Sequence, residues 1–159
     1  MTLQNFDTVP PSPSMFAMTD GLASRTSDTA LLIGRLLFGW LFFISGWAKL
    51  TNMASIVGYL TALNVPNPGF WAWPSMIGEL VIGACLILGL ATRYISLASV
   101  VYLIVATAIA HRYWEFQMPR QLAEYINFLK NLGLIGASLF LFVTGAGRIS
   151  LDHWLRRSR

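Results

Sequence analysis

Two pairs of ionisable residues lie within otherwise apolar stretches, each pair 14 positions apart: Arg35 with Lys49, and Glu79 with Arg93. Fourteen residues make nearly four helical turns, so the two members of a pair share one face of a helix. Gly39, Phe42 and Gly46 fall on the first stripe; Gly83, Leu86 and Leu90 fall on the second. Two further apolar runs carry polar groups at facing ends, His111 on one and Asn127, Lys130 and Asn131 on the other. A carboxylate, an imidazole and ammonium groups gathered in one place can exchange protons and bind a small anion. Glu79 is the strongest single candidate, because a carboxylate cannot reach back to water as far as a lysine can.

The elements that must position these groups follow from composition. Hydrophobic residues make up 55% of the 159 residues and charged residues 11%, against roughly 25% charged in a soluble domain. Lipid is therefore the solvent for much of this surface. Four runs approach the roughly 20 apolar residues a spanning helix needs: 30–50, 74–91, 94–113 and 126–144. The fold read from this is all-α, an integral membrane bundle of four antiparallel transmembrane helices. A tight turn around Thr92-Arg93 joins the second and third runs. The loop from Thr51 to Trp73 has no charged residue, holds Pro66 and Pro68, and fits a short helix around Ala54 to Leu63. Residues 1–29, with Pro10-Pro11-Ser12-Pro13 and no apolar signal core, read as a polar, poorly ordered tail. Residues 156–159 form a basic end.

Lysine and arginine set the orientation. Four spans place Arg25, Arg35, Arg93, Arg148, Arg156, Arg157 and Arg159 on one side and Lys49, Arg112, Arg120 and Lys130 on the other, seven against four. Both termini are then cytoplasmic. Lys49 and Glu79 fall at one outer level and are expected to form an ion pair, with His111, Lys130 and Asn131 converging on the same outward-facing polar pocket. Arg35, Arg93, Arg148 and Asp152 form an inner charged layer about 21 Å away along the axis, where Asp152 and Asp28 are the available carboxylates. The competing reading is structural. Lysines reach the interface, Glu79 is a counter-charge, and His111 merely ends a helix.

Other chemistries find little support. Cys85 stands alone in an apolar run, so no disulfide or Cys-x-x-Cys pair exists within the chain. The only histidines, His111 and His153, fall on opposite sides of the membrane, so no metal site or bis-histidine haem is expected, and no covalently held cofactor is implied. Basic residues flank apolar runs rather than forming a stripe, which argues against nucleic acid as a partner. The lipid bilayer is the partner that composition requires.

In order along the chain, several short patterns resemble one known family. Gly34-Arg35-Leu36-Leu37-Phe38-Gly39 and Phe43-Ile44-Ser45-Gly46-Trp47-Ala48-Lys49-Leu50 stand on the first run, and Gly78-Glu79-Leu80 and Gly89-Leu90-Ala91-Thr92-Arg93 on the second. Ala110-His111 ends the third. Phe128-Leu129-Lys130-Asn131-Leu132 and Gly145-Ala146-Gly147-Arg148-Ile149-Ser150-Leu151-Asp152 follow. Over residues 30–155 the chain resembles DoxX-like membrane proteins. The resemblance implies a multi-pass bacterial inner-membrane protein, linked to quinone-coupled oxidation or to thiol and oxidative stress. Three readings stay open: a quinone-linked redox component with a redox partner, a non-catalytic accessory subunit alongside other membrane subunits, and a small transporter. Whether the protein is an enzyme is not decided by its residues.

Overall fold

The computed structural model describes residues 15–158, and the first 14 residues of the expected polar tail and Arg159 lie outside them. The described residues form helices α1 (Met15–Thr51), α2 (Met53–Ala62), α3 (Pro68–Leu88), α4 (Thr92–Ala110), α5 (Arg120–Thr144) and α6 (Leu151–Arg157), with a 3-10 turn at Tyr113–Glu115. No strand occurs among them. Four of the helices, α1, α3, α4 and α5, are long and apolar enough to cross a membrane.

Helix α1 does not start where the apolar run starts. It begins at Met15, within the stretch expected to be a poorly ordered tail, and its 37 residues reach about 55 Å, well beyond the roughly 30 Å of hydrocarbon. The polar residues extend a helix already nucleated by the span, since propagation is easier than initiation. Hydroxyls of Ser24, Thr26 and Ser27 bond back to carbonyls three or four residues earlier. Asp28 Oδ1 accepts the Arg148 backbone N–H at 2.8 Å, tying this segment to the chain after α5.

Helix α3 starts earlier and ends earlier than its apolar run. Pro68 opens it, a residue suited to the first helical turn, and Pro74 lies inside it rather than at its start. It stops at Leu88 because Gly89 adopts a left-handed conformation (φ 67°) and its N–H bonds the Leu86 carbonyl at 3.2 Å. A side chain at Gly89 would meet both that backbone conformation and the Arg35 guanidinium. Arg93 therefore belongs to the first turn of α4, not to the helix that carries Glu79.

Helix α1 packs most extensively on α3, and α4 on α5. The first seam is made by glycine. A Cβ at Gly39 would lie 2.9 Å from the Gly83 carbonyl oxygen, and one at Gly46 would lie 2.8 Å from the Leu80 nitrogen. Later residues of α1 thus meet earlier residues of α3. Phe38, Phe42, Ile82, Leu86, Leu103 and Leu141 form the buried core. The α4–α5 seam carries hydroxyls instead, with Ser99 and Ser138 fully buried and 2.8 Å apart. Two seams of small residues fit association in lipid, where close packing and interhelical hydrogen bonds replace the hydrophobic effect.

Gly83→Ala is expected to destabilise the bundle by roughly 1–3 kcal/mol through overpacking. Its Cβ would sit 2.5 Å from the Phe43 nitrogen and 2.8 Å from the Phe43 Cα, and neither backbone atom can swing aside. Gly78→Ala is the control, because its Cβ would meet only the Tyr102 ring at an ordinary 3.6 Å. Unfolding in mixed detergent micelles should separate the two; equal stability of both variants would discount the close approach.

Candidate functional site

Lys49 near the end of α1 and Glu79 in the middle of α3 are in direct contact through Nζ and Oε2. Glu79 is 7% exposed, so its charge needs compensation close by. The other carboxylate oxygen, Oε1, accepts the Tyr102 hydroxyl of α4 at 2.7 Å. Tyr102 also lies 3.3 Å from the Ser75 hydroxyl, one turn before Glu79 on α3. Lys49 Nζ donates to Ser45 at 3.5 Å. Three helices are thus joined by one chain of exchangeable protons: Ser75, Tyr102, Glu79 and Lys49.

His111 follows the last residue of α4, and its Nδ1 lies 2.8 Å from Glu124 Oε2 on α5. Glu124 is buried, with Arg120 Nε 3.9 Å from its other oxygen. Tyr59 of α2 donates to the Ala110 carbonyl at 3.0 Å. Burial holds the Tyr59 phenol above its ordinary pKa, and the nearby Glu124 carboxylate adds to the effect. Asn131 is buried and donates to Thr107 at 2.9 Å. Lys130, its neighbour in sequence, is exposed and bonds Asn127 at 3.0 Å. Among the described residues Lys130 makes no hydrogen bond or ion pair to Lys49, Glu79, His111 or Asn131.

A cleft of about 750 Å³ opens at this end, with Leu63, Val65, Trp71, Ile109, Arg112 and Glu115 in its wall. The Arg112 guanidinium bonds Glu115 at 3.2 Å through Nη1 and the Leu63 carbonyl at 3.5 Å through Nη2. Its Nε is buried without a hydrogen-bond partner. Trp71, Ser75 and Glu79 succeed one another at four-residue steps on α3, and Ile109 and Tyr102 lie seven apart on α4. One helix face of each therefore leads from the cleft to the buried Tyr102–Glu79 bond, about 10–12 Å along the axis.

The opposite end gathers Arg35, Arg93, Arg148 and Asp152. Arg35, 1% exposed, donates at 2.8 Å to the carbonyls of both Ala146 and Ile149. Asp152 accepts the N–H groups of Ala91 (2.6 Å) and Thr92 (2.8 Å), which holds the start of α4. Arg93 donates to the Val143 carbonyl at 3.1 Å. Arg148 Nε stands 3.9 Å from Asp28. The arginines thus use backbone carbonyls more than carboxylates.

Sequence reasoning missed Tyr102, Glu124 and Arg112. A tyrosine in mid-span must find a partner for its hydroxyl, and that was the available signal for Tyr102. Glu124 fell in the loop before a span placed at residue 126, whereas α5 begins at Arg120. Arg112 gave no signal beyond its charge.

A family model for DoxX matches residues 30–112, and one for the SURF4 family matches residues 74–157. The chain is 33% identical to the Escherichia coli inner membrane protein YphA over 123 residues, covering 77% of this chain and 88% of that protein. It is 29% identical to the E. coli inner membrane protein YqjF over 136 residues, covering 84% and 97%. No solved structure matches it.

Proposed function

As the chain belongs to the DoxX family and is a multi-pass inner membrane protein, we propose that it is a redox-linked membrane component that binds a quinone at the cleft end of the bundle. The observation that carries this reading is the cleft itself, whose Trp71 and Ile109 share a face of α3 and of α4 with the Ser75–Tyr102–Glu79–Lys49 chain, about 10–12 Å away along the axis. In this reading the bundle is antiparallel with both termini in the cytoplasm, as the reversed order of α1–α3 contacts and the seven-to-four arginine and lysine bias favour. The cleft then faces outward.

The lining fits such a group. Ligand sites are mostly apolar with a few placed polar groups, in volumes of about 300–1,000 Å³. Here Leu63, Val65, Trp71 and Ile109 supply apolar wall, and Arg112 supplies a buried donor lacking an acceptor. Arg112 would hold a headgroup carbonyl through its guanidinium in the cleft wall. A bound quinone supplies the two-electron chemistry that no side chain here possesses. Tyr102 and Ser75 offer hydroxyl protons above Glu79, and the Lys49 ammonium compensates the carboxylate. His111 and Glu124 form a second proton-bearing pair beside Arg112 in the chain.

The test uses the purified protein in nanodiscs with a short-chain ubiquinone analogue. Arg112→Ala is expected to weaken binding by about tenfold or more, the size of a lost charged hydrogen bond. Absence of saturable binding by the unmodified protein, or full binding by Arg112→Ala, would sink the reading.

The direct Lys49–Glu79 contact favours a second reading, a non-catalytic accessory subunit. The broad apolar faces left exposed on α4 and α5, including Val101, Ile104, Phe140 and Val143, fit other membrane subunits as well as lipid. Co-purification with defined partners, lost in variants that leave quinone binding intact, would select it.

A further inference from the structure

The end of the bundle away from the cleft holds a second concavity of about 200 Å³, with Arg93, Thr144, Gly145, Asp152, His153 and Arg156 in its wall. We infer that this concavity binds a phosphate group, with Arg93 and Arg156 supplying the charge. Asp152, the carboxylate in the wall, already accepts two backbone N–H groups at the start of α4. Asp28, the other carboxylate tied to this end, is engaged by the backbone and side chain of Arg148. Arg93 uses Nη2 on the Val143 carbonyl at 3.1 Å. Among the described residues neither Arg93 nor Arg156 has a carboxylate within ion-pair distance, and the Arg156 side chain makes no hydrogen bond. Two guanidinium groups share this wall with one carboxylate and neither is in ion-pair contact with it, so the concavity keeps a net positive charge suited to a phosphate, which guanidinium recognises with paired donors.

The level in the membrane points the same way. Arg93 is the second residue of α4 and Thr144 is the last residue of α5, so the concavity lies where two spans leave the hydrocarbon. Tyr94 is 82% exposed and Trp154 is also exposed, and both are types that settle at the lipid–water boundary. Phospholipid phosphates occupy that level, and basic pockets between spans bind anionic headgroups there. A 200 Å³ concavity holds the volume of several waters, enough for a phosphate but not for a whole lipid. The acyl chains of a lipid held here would run along the exposed apolar faces of α4 and α5. The phosphate could equally be free in solution, and the experiment separates the two sources.

The full chain is reconstituted in vesicles of equal phosphatidylglycerol and phosphatidylcholine, and retained lipid is read by native mass spectrometry. Arg93→Gln, Arg156→Gln and, as a charge-matched control at the same end, Arg148→Gln are compared, with folding checked by thermal unfolding. Arg156 lies exposed on α6, so its substitution leaves the bundle packing alone. Retention of phosphatidylglycerol is expected to fall about fivefold with each cavity arginine, and to hold in Arg148→Gln; that establishes a lipid headgroup as the ligand. In lipid-free detergent, protection from thermal unfolding by inorganic phosphate but not by chloride of equal ionic strength, lost in Arg156→Gln, establishes free phosphate instead. Retention indifferent to Arg156→Gln, or lowered equally by Arg148→Gln, with no phosphate-specific protection, overturns the proposal.

Discussion

Lys49→Met is expected to destabilise the bundle by about 3–5 kcal/mol, the cost of leaving a buried carboxylate without its cation. Glu79 is 7% exposed, and without Lys49 it keeps only the Tyr102 hydroxyl on Oε1. Glu79→Gln in the same chain should recover most of the loss, because the glutamine carbonyl still accepts from Tyr102 while no charge remains to compensate. Reversible unfolding of the two single variants and the double variant in mixed micelles gives the coupling directly. The competing picture has Lys49 reaching the interface and sharing its charge with water, which would leave the pair worth about 0–1 kcal/mol. A coupling that small would refute the buried ion pair and, with it, the role of Lys49 in holding the Tyr102–Glu79 chain.

Sequence spacing made this pair visible for a definite reason. Residues 14 apart return to the same face whatever the details of a helix, and glycine on that face permits the backbones to meet. Arg35, Phe38, Gly39, Phe42 and Gly46 are all buried, and Lys49 partly so. The same arithmetic failed for Glu79 and Arg93, because it assumes one continuous helix. Two left-handed residues, Gly89 and Ala91, interrupt that run. Hydropathy gave the number of spans but not their ends, since polar residues continue a helix that the span has nucleated. That hid residues 15–29 of α1 and the first turns of α5, and with them Glu124. The expected gathering of Lys130 with Asn131 met a different limit. Consecutive residues on a helix point about 100° apart, so the Asn131 that faces Thr107 turns Lys130 outward. The cleft was illegible because it is built from the α2–α3 loop and the end of α4, whose approach no local pattern encodes.

Helices α1 and α3 thus owe their contact to glycine, and the connections at the end away from the cleft owe theirs to Arg35 and Asp152. Asp152 ties α6 to the start of α4, and Arg35 ties the α5–α6 connection to α1. These two links close the end of the bundle without a direct ion pair, using backbone groups that the ends of helices leave unsatisfied.

Arg35→Met should therefore be as damaging as breaking the Lys49–Glu79 pair, at about 3–5 kcal/mol, but through a different loss. The guanidinium is 1% exposed and reaches two carbonyls three residues apart. Methionine fills much of its volume and leaves both oxygens without donors, and it removes the buried positive charge that interacts with Asp152. Arg35→Lys is expected to rescue only part of the loss, because a compact ammonium cannot reproduce the planar fork that spans both acceptors. The damage should be local before it is global. Amide exchange should speed up first between residues 145 and 152, the segment that Arg35 pins, and only later in the α1–α3 seam. Uniform acceleration across the bundle would show that Arg35 supports the whole packing instead, and wild-type exchange in Arg35→Met would remove it from the architecture. The same segment supplies Gly145 and Asp152 to the arginine-lined concavity. If Arg35 pins it, Arg35→Met should also weaken phosphate protection while Arg93 and Arg156 remain in place, distinguishing a residue that shapes the site from those that carry its charge.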